Sequence, residues 1–307
     1  MNLRCDHLLI DSKHAMWRSA DSFKDLSAQV NGKLMKTGAM YGYLGILIRI
    51  FRKYGGTVEV AWEGPRARNF RKALYPEYKL RKEPDAVMAQ LLEDMHDQEP
   101  RLKAILRALG IRQHEGAGGE ADDVLAMLAS RRKGKVIIYT GDGDLRQLSD
   151  DRVTIVAPGF RGDDTVYTPE RVRIKHGVKP KQIPCLKAIG GDTGDNIPGV
   201  KGIGQKTSSA LVSFYGDCEK VIEAAKSNDP AWPVQQRYRQ MILNEQENIR
   251  LYRKLTVVDP ERATTQIECK KDKDKALAYL NLYKFRSLAA PSEFYDLWHM
   301  GNSGNED

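Results

Sequence analysis

The stretch KVIIYTGDGD, residues 135–144, joins a short apolar run to two acidic residues, Asp142 and Asp144. An apolar run of this length is typical of a buried strand, and ligands gather where the strands of an open parallel sheet end. Two other apolar runs finish in the same way, LLID at Asp11 and VEVAWE at Glu63. The three segments together predict a parallel sheet with carboxylates along one edge.

Strand-like and helix-like patterns alternate through the first part of the chain. Apolar runs near 8–10, 58–62, 136–139 and 153–157 are separated by helical patterns such as YGYLGILIRIFRKY. This alternation predicts an α/β fold with a mainly parallel central sheet flanked by helices. After about residue 180 the pattern changes to Gly-rich turns and helices, so we expect a helical second domain there.

Acidic residues recur after the predicted strands, at a helix start and in Gly-rich turns. These residues are Asp11, Glu63, Glu120, Asp122, Asp123, Asp142, Asp144, Asp192 and Asp195. Two carboxylates about 4 Å apart repel by roughly 4 kcal/mol at an effective dielectric constant of about 20, so such a cluster opposes folding unless cations neutralise it. We therefore expect two or more bound Mg²⁺ or Mn²⁺ ions.

Each acidic group also has a simpler interpretation. Carboxylates at a helix start, such as Glu120 and Asp123, commonly cap free N–H groups. The sequence Asp142-Gly143-Asp144 is compatible with an ordinary turn, and so is the acidic pair in GGDTGDNIPG. Strand ends, glycines and several acids in combination favour a metal site over these alternatives.

Length and charge limit the class of protein. The chain has 307 residues, 41% of them hydrophobic, and a formal charge of +8. It can bury a substantial core, and we expect one large domain and a smaller one. A basic face around an acidic pocket suits a polyanionic partner, although a solvated basic surface explains the net charge equally well.

Cysteine spacing and hydropathy exclude several further classes. The 4 cysteines are scattered, without the Cys-x-x-Cys spacing of a zinc site. Structural zinc and disulfides are therefore not expected. No segment has the pattern of a signal peptide or a membrane span. We expect a soluble, cytoplasmic protein without a membrane partner.

The stretch NIPGVKGIG from Asn196 precedes the helical pattern QKTSSALVSFYG. Its glycines at 199, 202 and 204 permit a tight turn with positive φ. The free N–H groups of the following helix can bind a phosphate, and two nearby lysines add positive charge. This segment predicts a helical hairpin that binds a nucleic-acid backbone, with a Gly-rich loop between helices as the alternative.

The segment PRARNFRKALYPEYKLRK, residues 65–82, is strongly basic. Its cations are Arg66, Arg68, Arg71, Lys72, Lys79, Arg81 and Lys82. Such residues bind phosphates, and Tyr75 and Tyr78 can stack on unpaired bases. A solvated helix face and ordinary aromatic packing are the alternatives.

The blocks GGEADD, TGDGDLRQL and KAIGGDTGDNIPGVKGIGQKT follow one another along the chain. They resemble the 5′ nuclease family, which includes the nuclease domain of bacterial polymerase I and the free-standing flap endonucleases of phages. The segments LLIDSKHAMWRSA, TGAMYGYLGIL and FRKALYPEYK are similar to further blocks of that family in the same order. The resemblance covers about residues 6–225.

The resemblance divides the acids between two metal ions. It implies that the first ion is held by Asp11, Glu63, Glu120 and Asp122. It implies that the second is held by Asp142, Asp144, Asp192 and Asp195, with Asp123 peripheral or shared. The family usually has Asp where this chain has Glu63, so a water-mediated contact is the alternative to direct ligation there.

The resemblance also implies roles for the basic residues. Residues of about 64–100 would form a helical arch over the 5′ single strand, with Lys79, either Arg81 or Lys82, and Arg18 near substrate phosphates. Arch contacts to DNA are expected from Arg66, Arg68, Arg71, Lys72 and Tyr78. Duplex DNA and a K⁺ or Na⁺ ion are expected at the hairpin, with DNA contacts from Gly199, Lys201, Gly202, Gly204, Gln205, Lys206 and Thr207.

The function implied is that of a structure-specific 5′ nuclease. It would cut 5′-flap, branched or nicked DNA by two-metal-ion catalysis and would also act as a 5′-3′ exonuclease. We expect a monomer that acts on 5′ single-stranded flaps or ends, with an RNA primer and a replicative polymerase in trans as further partners. A non-cleaving branched-DNA-binding protein and a ribonuclease on a related fold are the alternatives.

The predicted domains are a metal-dependent nuclease core at residues 1–180, a helical hairpin region at 181–260 and a C-terminal segment at 261–307 that ends in a flexible tail. The apolar sequence TVV from Thr256 is the one candidate strand after the core.

Overall fold

The computed structural model describes residues 3–80, 83–159, 162–262 and 264–301. Within these ranges the strands are β1 (His7–Asp11), β2 (Ser27–Val30), β3 (Lys33–Lys36), β4 (Thr57–Trp62), β5 (Arg112–Gly116), β6 (Val136–Tyr139), β7 (Val153–Ala157), β8 (Thr165–Tyr167) and β9 (Thr264–Ile267).

The α-helices of the same ranges are α1 (Ser12–Ser22), α2 (Gly38–Tyr54), α3 (Asn69–Leu74), α4 (Ala86–Ala108), α5 (Ala121–Arg131), α6 (Pro169–His176), α7 (Ile183–Gly190), α8 (Gln205–Tyr215), α9 (Cys218–Lys226), α10 (Arg237–Asn244), α11 (Gln246–Thr256), α12 (Lys273–Leu282) and α13 (Pro291–His299). None of these described helices is both long and apolar enough to cross a bilayer.

The chain divides into two compact units. Unit 1 consists of the described residues of Met1–Ala67, Glu83–Gly141 and Pro260–Asp307. Unit 2 consists of those of Arg68–Lys82 and Asp142–Asp259.

The sheet of unit 1 follows the order β6-β1-β4-β5-β9. Strand β1 pairs in parallel with β4 and β6, β4 pairs in parallel with β5, and β9 joins β5 in the antiparallel direction. Every residue of β4 is buried, as expected for a strand inside a parallel sheet that is covered on both faces. The predicted mainly parallel sheet flanked by helices is confirmed.

Helix α2 shows how the sequence builds the core of unit 1. Met40, Tyr43, Leu44 and Leu47 are buried at helical spacing, and full burial of a leucine side chain contributes about 1.5–3 kcal/mol. The helix ends at Tyr54 and is followed by Gly55, whose φ of 71° is unfavourable for other residues.

Helix α4 changes character along its length. The carboxylate of Asp85 accepts a hydrogen bond from the Met88 N–H at 2.9 Å and caps its start. Val87 near that start is exposed, whereas Leu102 and Ile105 near the end are buried. Pro100 lies inside the helix between these two parts and has no N–H to donate to the preceding turn.

A buried ion group stabilises the sheet of unit 1. Glu59 of β4 is 0% exposed and accepts hydrogen bonds from Nε and Nη2 of Arg132, both at 2.5 Å, and lies 2.9 Å from Nε2 of His114. Burial alone raises the pKa of Glu59, but the bonds and charges of Arg132 and His114 outweigh it and lower that pKa to about 2. Glu59 therefore stays ionised with partners supplied by the protein.

Unit 2 contains the antiparallel pair β7–β8 and the helices α3 and α6–α11. The predicted strand at TVV from Thr256 is wrong, because Thr256 is the last residue of α11 and its Oγ1 lies 3.1 Å from the Tyr252 carbonyl one turn earlier. The apolar sequence reflects burial, since Val258 is buried and its N–H donates to the side chain of Gln147 at 3.1 Å. The strand in this part of the sequence is instead β9.

Candidate metal and nucleic-acid site

Three carboxylates converge in unit 2. Asp144 opens the 3₁₀ helix Asp144–Leu148, and Asp192 and Asp195 lie in the loop after α7. One oxygen from each of the three lies within 4.8 Å of the others. We call these residues the carboxylate cluster.

The backbone around the cluster is folded into the turns that its sequence permits. The Asp144 N–H donates to the Asp142 carboxylate at 2.8 Å, and the Gly194 N–H donates to that of Asp192 at 2.9 Å. Asp192 and Ile197 also exchange two backbone hydrogen bonds, at 2.7 and 2.8 Å. The turn interpretation therefore holds for these acids, and the same turns aim their carboxylates at one point.

Lys187 of α7 lies within the carboxylate cluster and was missed by sequence reasoning. Its ammonium forms an ion pair with Asp144 and another with Asp192, the latter at 2.5 Å. The only available signal was its place five residues before Asp192 in KAIGGD. An ammonium that stands among oxygen donors shows that the cluster can accommodate a cation, and an all-carboxylate donor set suits a hard divalent ion.

The protein neutralises the cluster incompletely. Burial raises the pKa of Asp192, yet Lys187 and two backbone N–H groups outweigh it and lower that pKa. Burial also raises the pKa of Asp195, the negative charges of Asp192 and Asp142 raise it further, and opposition from Lys79 does not cancel the increase. A raised pKa at Asp195 means that its negative charge is under-compensated.

Lys79 lies beside the carboxylate cluster. Its N–H donates to the Asp195 carbonyl at 3.0 Å, and its ammonium is 3.8 Å from Oδ1 of Asp195. Lys79 has φ of 51°, a conformation that costs a side-chain-bearing residue free energy and is kept only where its surroundings hold it. Lys79 thus lies beside the carboxylate cluster, and its contact with a scissile phosphate stays a prediction.

Two residues of the basic segment are not placed as expected. Tyr78 is 2% exposed and its hydroxyl donates to Oδ2 of Asp195 at 3.2 Å, so its ring is not available for the predicted base stacking. Arg71 is 3% exposed and donates to the carbonyls of Leu255 and Val257, each at 3.0 Å, instead of facing DNA. Both side chains satisfy buried groups of unit 2.

The other basic residues keep their solvent access to different degrees. Arg66 and Lys72 are exposed, and Arg68 and Arg18 are half-buried. The predicted contacts of Arg81 and Lys82 lie outside the described residues.

The acids of unit 1 are tied to local donors. One oxygen of Asp11 accepts from Oγ1 of Thr140 at 2.7 Å and the other from the His14 N–H at 3.1 Å, so Asp11 also caps α1. Glu63 lies just beyond β4 and forms an ion pair with Lys13. A part of the charge of these acids is therefore balanced within unit 1.

Glu120 and Asp123 form the helix cap that the simpler interpretation predicted. Oδ2 of Asp123 accepts from the Glu120 N–H at 2.9 Å and lies 3.8 Å from Nε of Arg262. Glu120 and Asp123 are buried, whereas Asp122 is half-buried. Asp123 thus caps the start of α5, and metal ligation by Glu120, Asp122 and Asp123 stays a prediction.

Helices α7 and α8 flank the predicted hairpin loop. Gly199 and Gly202 have φ of 65° and 86°, and a Cβ at Gly199 would lie 2.3 Å from the Gly191 nitrogen. The expectation of positive φ is wrong for Gly204, whose φ is −95° because it caps α8 in an extended conformation. The exposed residues there are Lys201, Gly202, Gly204, Gln205 and Lys206, with Thr207 half-buried.

Two protein-family models match this chain. Residues 6–177 match the model described as 5′-3′ exonuclease, N-terminal resolvase-like domain, and residues 178–276 match 5′-3′ exonuclease, C-terminal SAM fold. The chain belongs to the 5′-3′ exonuclease family. The resemblance inferred from the sequence blocks is therefore confirmed.

Individual relatives agree with the family. The 5′-3′ exonuclease of Aquifex aeolicus is 36% identical over 221 residues, which cover 70% of this chain and 71% of that one. DNA polymerase I of Deinococcus radiodurans is 35% identical over 246 residues, which cover 79% of this chain. The matched part spans only 24% of the length of that polymerase.

A solved structure supports the fold over nearly the whole chain. The bacteriophage T5 D15 flap endonuclease, in a pseudo-enzyme-product complex with DNA and metal ions, gives a TM-score of 0.62 at 21% identity. The match covers 96% of this chain and 98% of the phage protein. The 5′-3′ exonuclease fold of the present chain therefore extends beyond the segment in which sequence similarity was noticed.

Proposed function

We propose that this member of the 5′-3′ exonuclease family is a metal-dependent nuclease that hydrolyses phosphodiester bonds of DNA at 5′ ends and 5′ flaps. The carboxylate cluster carries this proposal, because Asp144, Asp192 and Asp195 converge on one point and Asp195 is under-compensated. The name of the Aquifex relative and the DNA and metal ions of the T5 complex support the same activity.

The metal ligands are proposed separately for each unit. In unit 2 the carboxylate cluster, with Asp142 beside it, would hold one Mg²⁺ or Mn²⁺ ion. In unit 1 the second set of ligands would be Asp11, Glu63, Glu120 and Asp122, with Asp123 kept as the cap of α5. When bound, such ions lower the pKa of a coordinated water and stabilise charge on the phosphate and on the departing 3′ oxygen.

The residues of this chain would then position the strand. Lys79 is fixed beside Asp195 by its backbone N–H, so its ammonium can donate to a phosphate oxygen near the cluster. Lys187 would release the carboxylates to the incoming ion, because an ammonium and a divalent ion cannot occupy the same point. No side chain is needed as a nucleophile.

The hairpin between α7 and α8 is proposed to bind the duplex. Lys201 and Lys206 are exposed, and the first N–H groups of α8 point out of the helix start. Contacts of this kind recognise phosphates without reading bases. The same proposal includes a K⁺ or Na⁺ ion on the carbonyls of this loop and an RNA primer as a further substrate. It also includes monomeric action in the cytoplasm and a polymerase that acts in trans.

A labelled 5′-flap DNA incubated with the protein tests the proposal. We expect cleavage near the junction in Mg²⁺ and none in EDTA. Asp144→Asn should lower cleavage by about a thousandfold while DNA binding is kept, because the change removes a charge and keeps the shape. Glu223→Gln removes an exposed carboxylate on α9 and is the matched control, so it should cut like wild type.

The outcome that contradicts the proposal is equally specific. Tight binding of the flap DNA without cleavage in either Mg²⁺ or Mn²⁺ would identify a branched-DNA-binding protein. Cleavage by Asp144→Asn at the wild-type rate in saturating Mg²⁺ would remove the carboxylate cluster from the mechanism.

A further inference from the structure

A cavity of about 500 Å³ lies in unit 2 and is lined by two chemically different groups of residues. One group includes Lys187 and Asp192 of the proposed metal site, and the other includes Arg146 and His176. A volume in this range suits a small ligand such as a nucleotide. Arg146 and His176 have no part in the proposed metal chemistry, and we call the part of the cavity that they line the Arg146 pocket.

Arg146 is a half-buried cation with no carboxylate partner in the described parts of the chain. Its Nη1 is 3.3 Å from Nε2 of His176, and its guanidinium carbon lies 4.3 Å from the centre of the Tyr167 ring. Its Nε is buried and makes no hydrogen bond within the same ranges. Burial of an unmatched charge is costly, so this arrangement is explained if an anion completes it.

His176 cannot supply the missing negative charge. Burial, together with the positive charges of Arg146 and Lys175, lowers the pKa of His176 to about 4, so its ring is neutral near pH 7. Because a guanidinium only donates hydrogen bonds, Nε2 of His176 accepts from Arg146 and the ring proton lies on Nδ1. Lys175 adds further positive charge, since its ammonium donates to the Tyr167 hydroxyl at 2.8 Å.

We propose that the Arg146 pocket binds the phosphate group of a nucleotide. The planar guanidinium matches two phosphate oxygens at once, and the Tyr167 ring holds that plane in place. Asp192, which also lines the cavity, does not repel such a ligand strongly, because Lys187 is paired with it. This inference rests on the proposed function, since the nucleotide would be part of the DNA strand at the cluster or a mononucleotide released from its end.

Binding of deoxyadenosine 5′-monophosphate to the full chain in EDTA is the first test. Wild type should bind this nucleotide in calorimetry but not deoxyadenosine, which lacks the phosphate. Arg146→Gln should weaken binding roughly tenfold or more, as expected for loss of a charged hydrogen-bond pair. Arg171→Gln, which removes an exposed arginine from the neighbouring helix α6, is the matched control and should change nothing.

A second arm identifies the source of the phosphate. If the mononucleotide does not bind but Arg146→Gln weakens binding of 5′-flap DNA roughly tenfold, the pocket holds a phosphate of the strand. Arg146→Lys keeps the charge and loses the planar fork, so it should fall between wild type and Arg146→Gln, including where the Gln variant folds poorly. Equal affinities of wild type, Arg146→Lys and Arg146→Gln for both ligands would overturn the proposal.

Cleavage by wild type in Mg²⁺ tests the proposed nuclease function separately from the Arg146 pocket. Cleavage combined with unchanged ligand binding in the Arg146 variants rejects only the Arg146 pocket. Absence of cleavage combined with Arg146-dependent nucleotide binding rejects the proposed function and retains the pocket.

Discussion

Buried carboxylates in the two units are held in opposite ways. Glu59 in unit 1 is bonded on both oxygens by Arg132 and also by His114, and these partners lower its pKa to about 2. Asp195 in unit 2 has too little compensation, and its pKa is raised. The difference separates a carboxylate whose charge the protein balances with its own cations from one whose charge it balances only in part.

The largest expected effect is on the cleavage rate and distinguishes Asp144 of the carboxylate cluster from Glu59. Asp144→Asn should lower the cleavage rate by about a thousandfold, which corresponds to roughly 4 kcal/mol of lost transition-state stabilisation. Glu59→Gln should keep the wild-type rate per folded molecule, because Glu59 faces Arg132 and His114 and not the substrate. Single-turnover cleavage of flap DNA at a temperature where both variants are folded measures this, and equal losses would break the comparison.

The second effect is on stability, and here Glu59 is the residue whose replacement has the large effect. Glu59→Gln should lower the free energy of unfolding by about 3 kcal/mol, because Arg132 and His114 then lose their buried anion. Urea unfolding in EDTA measures the change. Glu170→Gln, which breaks the exposed pair with Arg173, is the control and should have little effect. A loss equal to that of the control would mean that the Glu59 group contributes no net stability.

The pH dependence of that stability has a defined sign. The folded-state pKa of Glu59 lies below its ordinary value of 4.5, so its contribution is fully present above about pH 4.5 and is lost as the pH falls toward 2. Wild type should therefore lose stability over this window more steeply than Glu59→Gln. Parallel curves from urea titrations at several pH values would contradict the assignment.

A smaller effect concerns the ion itself. Mg²⁺ at about ten times its dissociation constant should raise the free energy of unfolding of wild type by roughly 1.4 kcal/mol. Thermal unfolding with and without Mg²⁺ should show this increase in Glu59→Gln as well, and a much smaller one in Asp144→Asn. An equal increase in all three proteins would place the ion away from the carboxylate cluster.

The smallest expected effect is a gain. Asp195→Asn should stabilise the protein in EDTA by on the order of 1 kcal/mol, because it removes an under-compensated charge. Chemical unfolding without metal measures it. A loss of stability would show that Lys79 and Tyr78 already balance the charge of Asp195.

Local pattern was enough for most of the fold. The apolar runs that end at Asp11 and before Glu63 are strands because their residues are buried on both faces, and burial of that kind is visible as a continuous apolar sequence. The same pattern misled at Thr256, where Val258 is buried beside a helix end and not in a strand. A short apolar run therefore indicates that its residues are buried, but it does not distinguish a strand from the end of a helix.

The site was only partly predictable, because ionic partners depend on contacts distant in sequence. The acidic turn that contains Asp144 was visible in the sequence, whereas the insertion of Lys187 depends on how the loop after α7 folds back. Charge density likewise suggested that Arg71 faces DNA, although its partners are backbone carbonyls 184 and 186 residues away along the chain. Sequence composition locates charge but does not say whether the charge faces solvent.

Helix α4 has a mechanical consequence through Pro100. The missing N–H of Pro100 leaves the carbonyl of His96 without its usual intrahelical partner, so bending is easiest at that turn. Leu102 and Ile105 anchor the second part of the helix in the core, whereas the first part is mostly exposed. In hydrogen exchange, the amides before Pro100 should therefore lose protection together while those after it exchange only when the core opens.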